Sequence, residues 1–168
     1  LRASSLRDPL TGLHNRRYLS EEGGRLLRYA QRYQSDLCAA MIDVDHFKQI
    51  NDRLGHQVGD LVLQRLAELI TRAMRSTDLI SRYGGEEVVL LLPSTNIDDA
   101  YSICERLRTT VEQHNWSDIH PRLRVTVSIG LAKDDGSTLT ELLAHADAQL
   151  YTSKRAGRNR TSYAQSGR

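Results

Sequence analysis

Arg82-Tyr83-Gly84-Gly85-Glu86-Glu87-Val88-Val89-Leu90-Leu91-Leu92 is the stretch whose reading decides the fold. A β-type run from Leu79 to Tyr83 meets two glycines; two adjacent carboxylates and an unbroken apolar run follow. A Gly-Gly pair between β-type runs predicts a hairpin, because glycine tolerates the positive φ of tight turns. The returning strand is then Val88 to Leu92, buried. Alternation puts Glu86 and Glu87 on opposite faces if both are already in strand conformation. Taken alone, the pair reads equally well as an acidic hairpin tip.

Working outward, Leu37 to Ile42 is a second continuous apolar run, expected as a strand buried on both faces. It leads directly into Asp43-Val44-Asp45. A carboxylate at the end of a buried strand needs compensation, and hard oxygen ligands at strand ends are how Mg²⁺ is usually held near phosphates. Glu86 at the hairpin tip is the natural partner for Asp43. The alternative is that Asp43 merely caps the next helix.

The remaining segments predict helices and one more strand. Leu19, Leu26, Leu27, Ala30 and Tyr33 recur at helical spacing between Arg16 and Gln34, with Asn15 as N-cap and Gly23-Gly24 weakening the middle. His46 to Asp52 reads as a short helix and Leu54 to Asp60 as a glycine-bounded turn; Val62, Leu66, Leu69, Ile70 and Ala73 mark the helix after it. Asn96 starts a helix packed through Ala100, Ile103, Cys104, Leu107 and Val111. Val125, Val127, Ile129 and Leu131 alternate as a strand. Thr138 and Glu141 form a capping box, and that helix closes with Lys154 and Arg155 before Gly157. Residues from Thr161 offer an edge strand. The fold class is therefore α/β (α+β), a central mixed sheet of about five strands flanked by helices.

At 168 residues the chain is expected to be a single domain, with 1–7 the end of a linker and 160–168 a tail. Because it begins at Leu1 rather than Met, it reads as a domain excised from a longer regulatory protein. Its 23 basic and 21 acidic residues leave a net charge of +2, too balanced to advertise nucleic-acid or membrane binding. Phosphate recognition must then be local. Cys38 and Cys104 lie in apolar stretches without disulfide or metal spacing, as in a reducing compartment. No P-loop or Rossmann glycine motif is present.

The Gly-Gly-Glu-Glu hairpin, with the entry segment Asp8-Pro9-Leu10-Thr11-Gly12-Leu13-His14-Asn15-Arg16-Arg17, resembles the GGDEF family of diguanylate cyclases from about Asp8 to Asn159. That resemblance implies a nucleotide-cyclase or polymerase-palm-like sheet with the signature, turning at Gly84 and Gly85, on its hairpin. It implies condensation of two GTP into cyclic di-GMP and two pyrophosphates by a homodimer, with two Mg²⁺ (Mn²⁺ as alternative) per active site. Metal ligation falls to Asp43, Glu86 and the carbonyl of Val44; Glu87 is the second catalytic acid, near the attacking hydroxyl. Asn51 and Asp60 match guanine-recognition positions. Lys48, Lys154, Arg158 and the amides of His46 and Phe47 match phosphate contacts. Arg75 and Asp78 match a product-inhibition site, completed across a dimer by Arg106. The implied setting is cytoplasmic, or a cytoplasmic domain of a membrane-bound sensor, with no nucleic acid and no membrane contact by this domain.

Read without the resemblance, several of these residues have plainer uses. Asn51 fits a helix surface and Asp60 a helix N-cap; Lys154 and Arg158, four apart and so on one face at a helix C-terminus and just beyond it, complement the helix dipole. Arg75 and Asp78 fit a local ion pair. The sequence departs from the family at Val88, where Phe is usual. A catalytically weak GTP or cyclic di-GMP receptor is the rival reading, and a mononucleotide cyclase another. The intact acidic pair opposes the first; Asn51, Asp60 and Arg75-x-x-Asp78 oppose the second.

Overall fold

The computed structural model describes residues 5–165. Parts of the expected linker end (1–4) and tail (166–168) lie outside the described residues. The apolar run at 37–42 becomes the central strand: β1 (Leu37–Val44) is buried at every position. It pairs antiparallel with β3 (Glu87–Pro93) on one side and β4 (Val127–Lys133) on the other. β2 (Leu79–Arg82) pairs antiparallel with β3, and β5 (Thr161–Tyr163) runs parallel to β4. The sheet is mixed and five-stranded, in the order β2-β3-β1-β4-β5.

Helices cover both faces, which is why the central runs are continuously apolar rather than alternating. On one face lie α1 (Arg16–Tyr33) and α5 (Leu139–Arg155), packed on Ala39, Met41, Val89 and Leu91. On the other lie α2 (Phe47–Leu54), α3 (His56–Ala73) and α4 (Ile97–Gln113), packed on Ala40, Ile42, Leu90 and Leu92. Asn15, Asn96 and Thr138 cap α1, α4 and α5 by accepting a backbone N–H from three residues on; Thr138 and Glu141 complete a capping box.

Four expectations are corrected. The glycine-bounded turn at 54–60 does not exist: Gly55 alone (φ 96°) separates α2 from α3, which already begins at His56. Asp60 is consequently inside α3, not its N-cap. β4 starts at Val127 rather than Val125, although Val125 is buried in the same core. Neither Gly84 nor Gly85 lies in the left-handed region, so the hairpin glycines are not demanded by turn conformation. Gly23 has a packing use besides: a Cβ there would meet Leu91 Cδ1 at 3.0 Å.

Candidate active site

The two carboxylate-bearing strand ends meet directly, because β1–β3 pairing makes Asp43 and Glu87 opposite residues. Strand alternation sends both to the face covered by α1 and α5, with Met41 and Val89. Glu86 falls one residue outside β3, and its carbonyl accepts from Val44 N at 3.4 Å. Val88 points to the opposite face, 4% exposed in the α3–α4 core, so the missing Phe touches packing and not this cluster.

A cation arrives from α5. Lys154 Nζ donates to Asp43 Oδ2 at 2.6 Å. The helix approaches closely enough because β4 carries Gly130: a Cβ there would stand 2.0 Å from Leu150 N and 2.1 Å from Ala146 O. Ser153 Oγ donates to Ile129 O at 2.7 Å and pins the same turn. Burial pushes Asp43 up to about 6, against the pull of Lys154 and with help from the charges of Glu86 and Asp45. Burial, Asp43 and Asp147 also raise Glu87. Burial opposes the charge on Lys154, yet Asp43, Glu87 and Glu86 leave its ammonium raised. Burial weighs more on Asp43, whose side chain is 5% exposed, than on Lys154, at 35%.

The hairpin tip is tied down by residues sequence reading passed over. Arg82 Nη1 donates to both oxygens of Asp8 at 3.1 Å, while its Nε and Nη2 donate to the carbonyls of Gly84 and Gly85. Burial acts against the Asp8 carboxylate, but bonds from Thr11 and the Arg82 charge hold it below its ordinary range. The entry segment and the hairpin are therefore one structure, and Arg16 lies 4.0 Å over the Tyr83 ring beside it.

A second region forms where α2 meets α3. Asn51 Oδ1 is buried without a hydrogen-bond partner among the described residues. Gly59 exists for this contact: a Cβ there would lie 1.9 Å from Asn51 Oδ1 and 3.2 Å from the Phe47 ring. Asp60 follows on the exposed surface of α3. His46 caps α2 in a left-handed conformation (φ 55°), leaving the first-turn amides of α2 at a helix start. Lys48 faces outward and pairs with Asp52 at 3.1 Å.

Lys154 and Arg158 do not share a helix face, as their four-residue spacing predicts. α5 has ended at Arg155, and Arg158 occupies a left-handed bend (φ 67°). Asp45, left without a role by the sequence, is buried and accepts from Thr126, Ser128 and the Asn159 backbone N–H.

The Arg75–Asp78 pair is closed on itself. Arg75 donates to Asp78 through its backbone N at 2.7 Å and Nη2 at 2.8 Å, and Nη2 also reaches Thr95 Oγ1 and Pro93 O. Hydrogen bonding to Asp78 keeps its guanidinium raised. Arg106 of the same chain joins both residues around a cavity of about 330 Å³.

Among the described residues, no three His, Cys, Asp or Glu side chains group closely enough to hold a metal by themselves. The expected set asks for fewer: two carboxylates and a carbonyl. Asp43 and Glu86 stand close enough that Glu86 raises Asp43. Such oxygen donors suit a hard cation.

Residues 5–160 match the model of the family described as diguanylate cyclase, GGDEF domain. The chain belongs to the GGDEF family. This GGDEF domain is 42% identical over 156 residues to the response regulator PleD of Caulobacter vibrioides, covering 90% of this chain and 34% of that protein. It is 40% identical over 164 residues to the diguanylate cyclase DgcP of Pseudomonas aeruginosa, covering 97% of this chain and 24% of that protein. The chain thus spans about a third and about a quarter of the length of these relatives. Among solved structures, the GGDEF domain of DgcB from Caulobacter crescentus, described in complex with c-di-GMP, matches with TM-score 0.92 and 35% identity over 99% of this chain and 97% of that one. The active GGEEF domain of a diguanylate cyclase from Vibrio cholerae matches with TM-score 0.85 and 29% identity over 91% and 98%. No helix among the described residues is long and apolar enough to cross a membrane.

Proposed function

We propose that this domain is a diguanylate cyclase that joins two GTP into cyclic di-GMP with release of two pyrophosphates. The observation that carries this reading is the convergence of Asp43, Glu86 and Glu87 with Lys154 at one end of the sheet. In each of two steps, the 3′-oxygen of one GTP attacks the α-phosphorus of the other. The bond from that phosphorus to the β-phosphate oxygen breaks, and pyrophosphate leaves. Positioning and charge neutralisation do most of this work.

The chain's residues divide the task. Glu87, raised by burial and by Asp43, accepts the proton of the attacking hydroxyl better at neutral pH than an ordinary carboxylate. Asp43, Glu86 and the Val44 carbonyl would hold the divalent cations. When bound, two Mg²⁺ (or Mn²⁺) supply a lowered 3′-hydroxyl pKa and a counter-charge for the triphosphate. Lys154, held beside Asp43, reaches the triphosphate, with Arg158, Lys48 and the amides of His46 and Phe47. The half-buried Asn51 and the exposed Asp60 take guanine: a carboxylate accepts from N1 and N2, a donor pattern adenine lacks.

Because each domain offers one half of the reaction, two copies must face each other, so the active form is a homodimer. Arg75, Asp78 and Arg106 form the product-inhibition site, opening their self-paired state to take cyclic di-GMP. The free, buried Cys38 and Cys104 fit a reducing, cytoplasmic setting. The test is Glu87→Gln: turnover of GTP falls at least about a thousandfold while GTP affinity stays within about threefold. Unchanged turnover would remove Glu87 from the reaction.

A further inference from the structure

Arg158 and Asn159 are consecutive left-handed residues, at φ 67° and 49°, and neither is glycine. L-residues rarely adopt this conformation without outside support, and such strain gathers at ligand clamps. The support here is dense. Arg158 N donates to Ser153 O at 2.9 Å, and Asn159 N donates to Asp45 Oδ2 at 3.1 Å and Ser128 Oγ at 3.2 Å. The Asn159 side chain is gripped from α4: Arg108 Nη1 donates to its Oδ1 at 2.9 Å, and its Nδ2 donates to Glu112 Oε2 at 2.9 Å. Arg108 is in turn fixed by two 2.9 Å bonds to Glu105.

This scaffold ends in one unengaged group. The Arg158 guanidinium has no side-chain hydrogen bond or ion pair among the described residues. Everything around it fixes its backbone; nothing occupies its charge.

We propose that Arg108, acting through Asn159, is a positioning residue for Arg158. It holds the left-handed bend that aims the guanidinium at the triphosphate of the bound nucleotide. The inference rests on the reading of Arg158 as a phosphate ligand. Arg108 suits the task because, among the described residues, its side-chain bonds run to Glu105, Glu112 and Asn159, away from Asp43 and Lys154. Its removal therefore changes the placement of Arg158 and leaves the acidic cluster intact.

The test compares a non-hydrolysable GTP analogue with guanosine, titrated onto the wild-type domain and onto Arg158→Ala, Arg108→Ala and Arg108→Lys. Arg158→Ala and Arg108→Ala each weaken the analogue about tenfold, as loss of a charge-assisted contact does. Guanosine binding stays unchanged, and Arg108→Lys retains most of the affinity through one bond to Asn159. If Arg108→Ala does not fold, Asn159→Ala reads the same contact with the Arg108–Glu105 bonds kept. Weakening by Arg158→Ala but not by Arg108→Ala or Asn159→Ala overturns the positioning role and spares the phosphate reading. Equal loss of guanosine marks a global effect and also overturns it. No effect from Arg158→Ala removes the phosphate reading itself.

Discussion

Replacing Asp43 with Asn should stabilise the metal-free domain at alkaline pH while abolishing its activity. Asp43 binds its proton more tightly folded than unfolded, so its contribution is complete below the ordinary value of 3.8 and is lost as pH rises through about 6. A rise from 3.8 to about 6 corresponds to at most about 3 kcal/mol of disfavoured charge at pH 8. Asparagine keeps the shape and removes that charge. That value already contains the pull of Lys154, whose ammonium, with a side chain 35% exposed, returns to water at small expense; solvent reaching the site and imperfect hydrogen bonding of the amide lower the gain. The net gain is about 1–2 kcal/mol, or roughly 3–6 °C in melting temperature for a domain of this size. The assay is urea or thermal unfolding of both proteins in EDTA at pH 8 and pH 5. The variant should be the more stable at pH 8, and the difference should shrink at pH 5, where Asp43 is largely protonated. A variant less stable than the parent at pH 8 would refute the reasoning. It would mean that the Lys154–Asp43 ion pair outweighs the burial of the carboxylate, because breaking a dominant buried pair destabilises by about 3–5 kcal/mol.

Two further outcomes follow from contacts between separate elements. Arg82→Met should destabilise by about 2 kcal/mol, and a double-mutant cycle with Asp8→Asn should return a coupling of about 1–2 kcal/mol. Strictly additive effects would mean that the entry segment does not brace the hairpin. Gly59→Ala should raise KM for GTP about tenfold by displacing Asn51, while alanine's better helix propensity, worth about 1 kcal/mol, offsets part of the stability loss. An unchanged KM in steady-state assays would detach Asn51 from the base.

The sequence disclosed what local patterns encode. Two apolar runs, 37–42 and 88–92, announced strands buried on both faces, and Asn15, Asn96 and Thr138 marked helix starts that the structure uses. The sequence matched Asp43 with Glu86, which does stand close enough to raise it; that Glu87 is the residue directly opposite Asp43 came only from the strand register. What stayed hidden depends on contacts between remote segments. Asp8 and Arg82 are 74 residues apart, and Asp45 and Asn159 are 114 apart. The start of α3 was missed for a different reason. Gly55 gives no side-chain cap, and Gly59 four residues later imitated a turn where it was clearing space for Asn51. Lys154 and Arg158 misled through regular spacing, because the helix ends between them.

The proposed reaction is nucleotidyl transfer between two copies of this domain. Its most direct test is to hold the domain as a dimer through a fused parallel coiled coil, supply GTP and Mg²⁺, and identify the product by mass. Cyclic di-GMP with two pyrophosphates per product is the expected result. GTP bound but recovered unchanged, or converted to a cyclic mononucleotide, would contradict it.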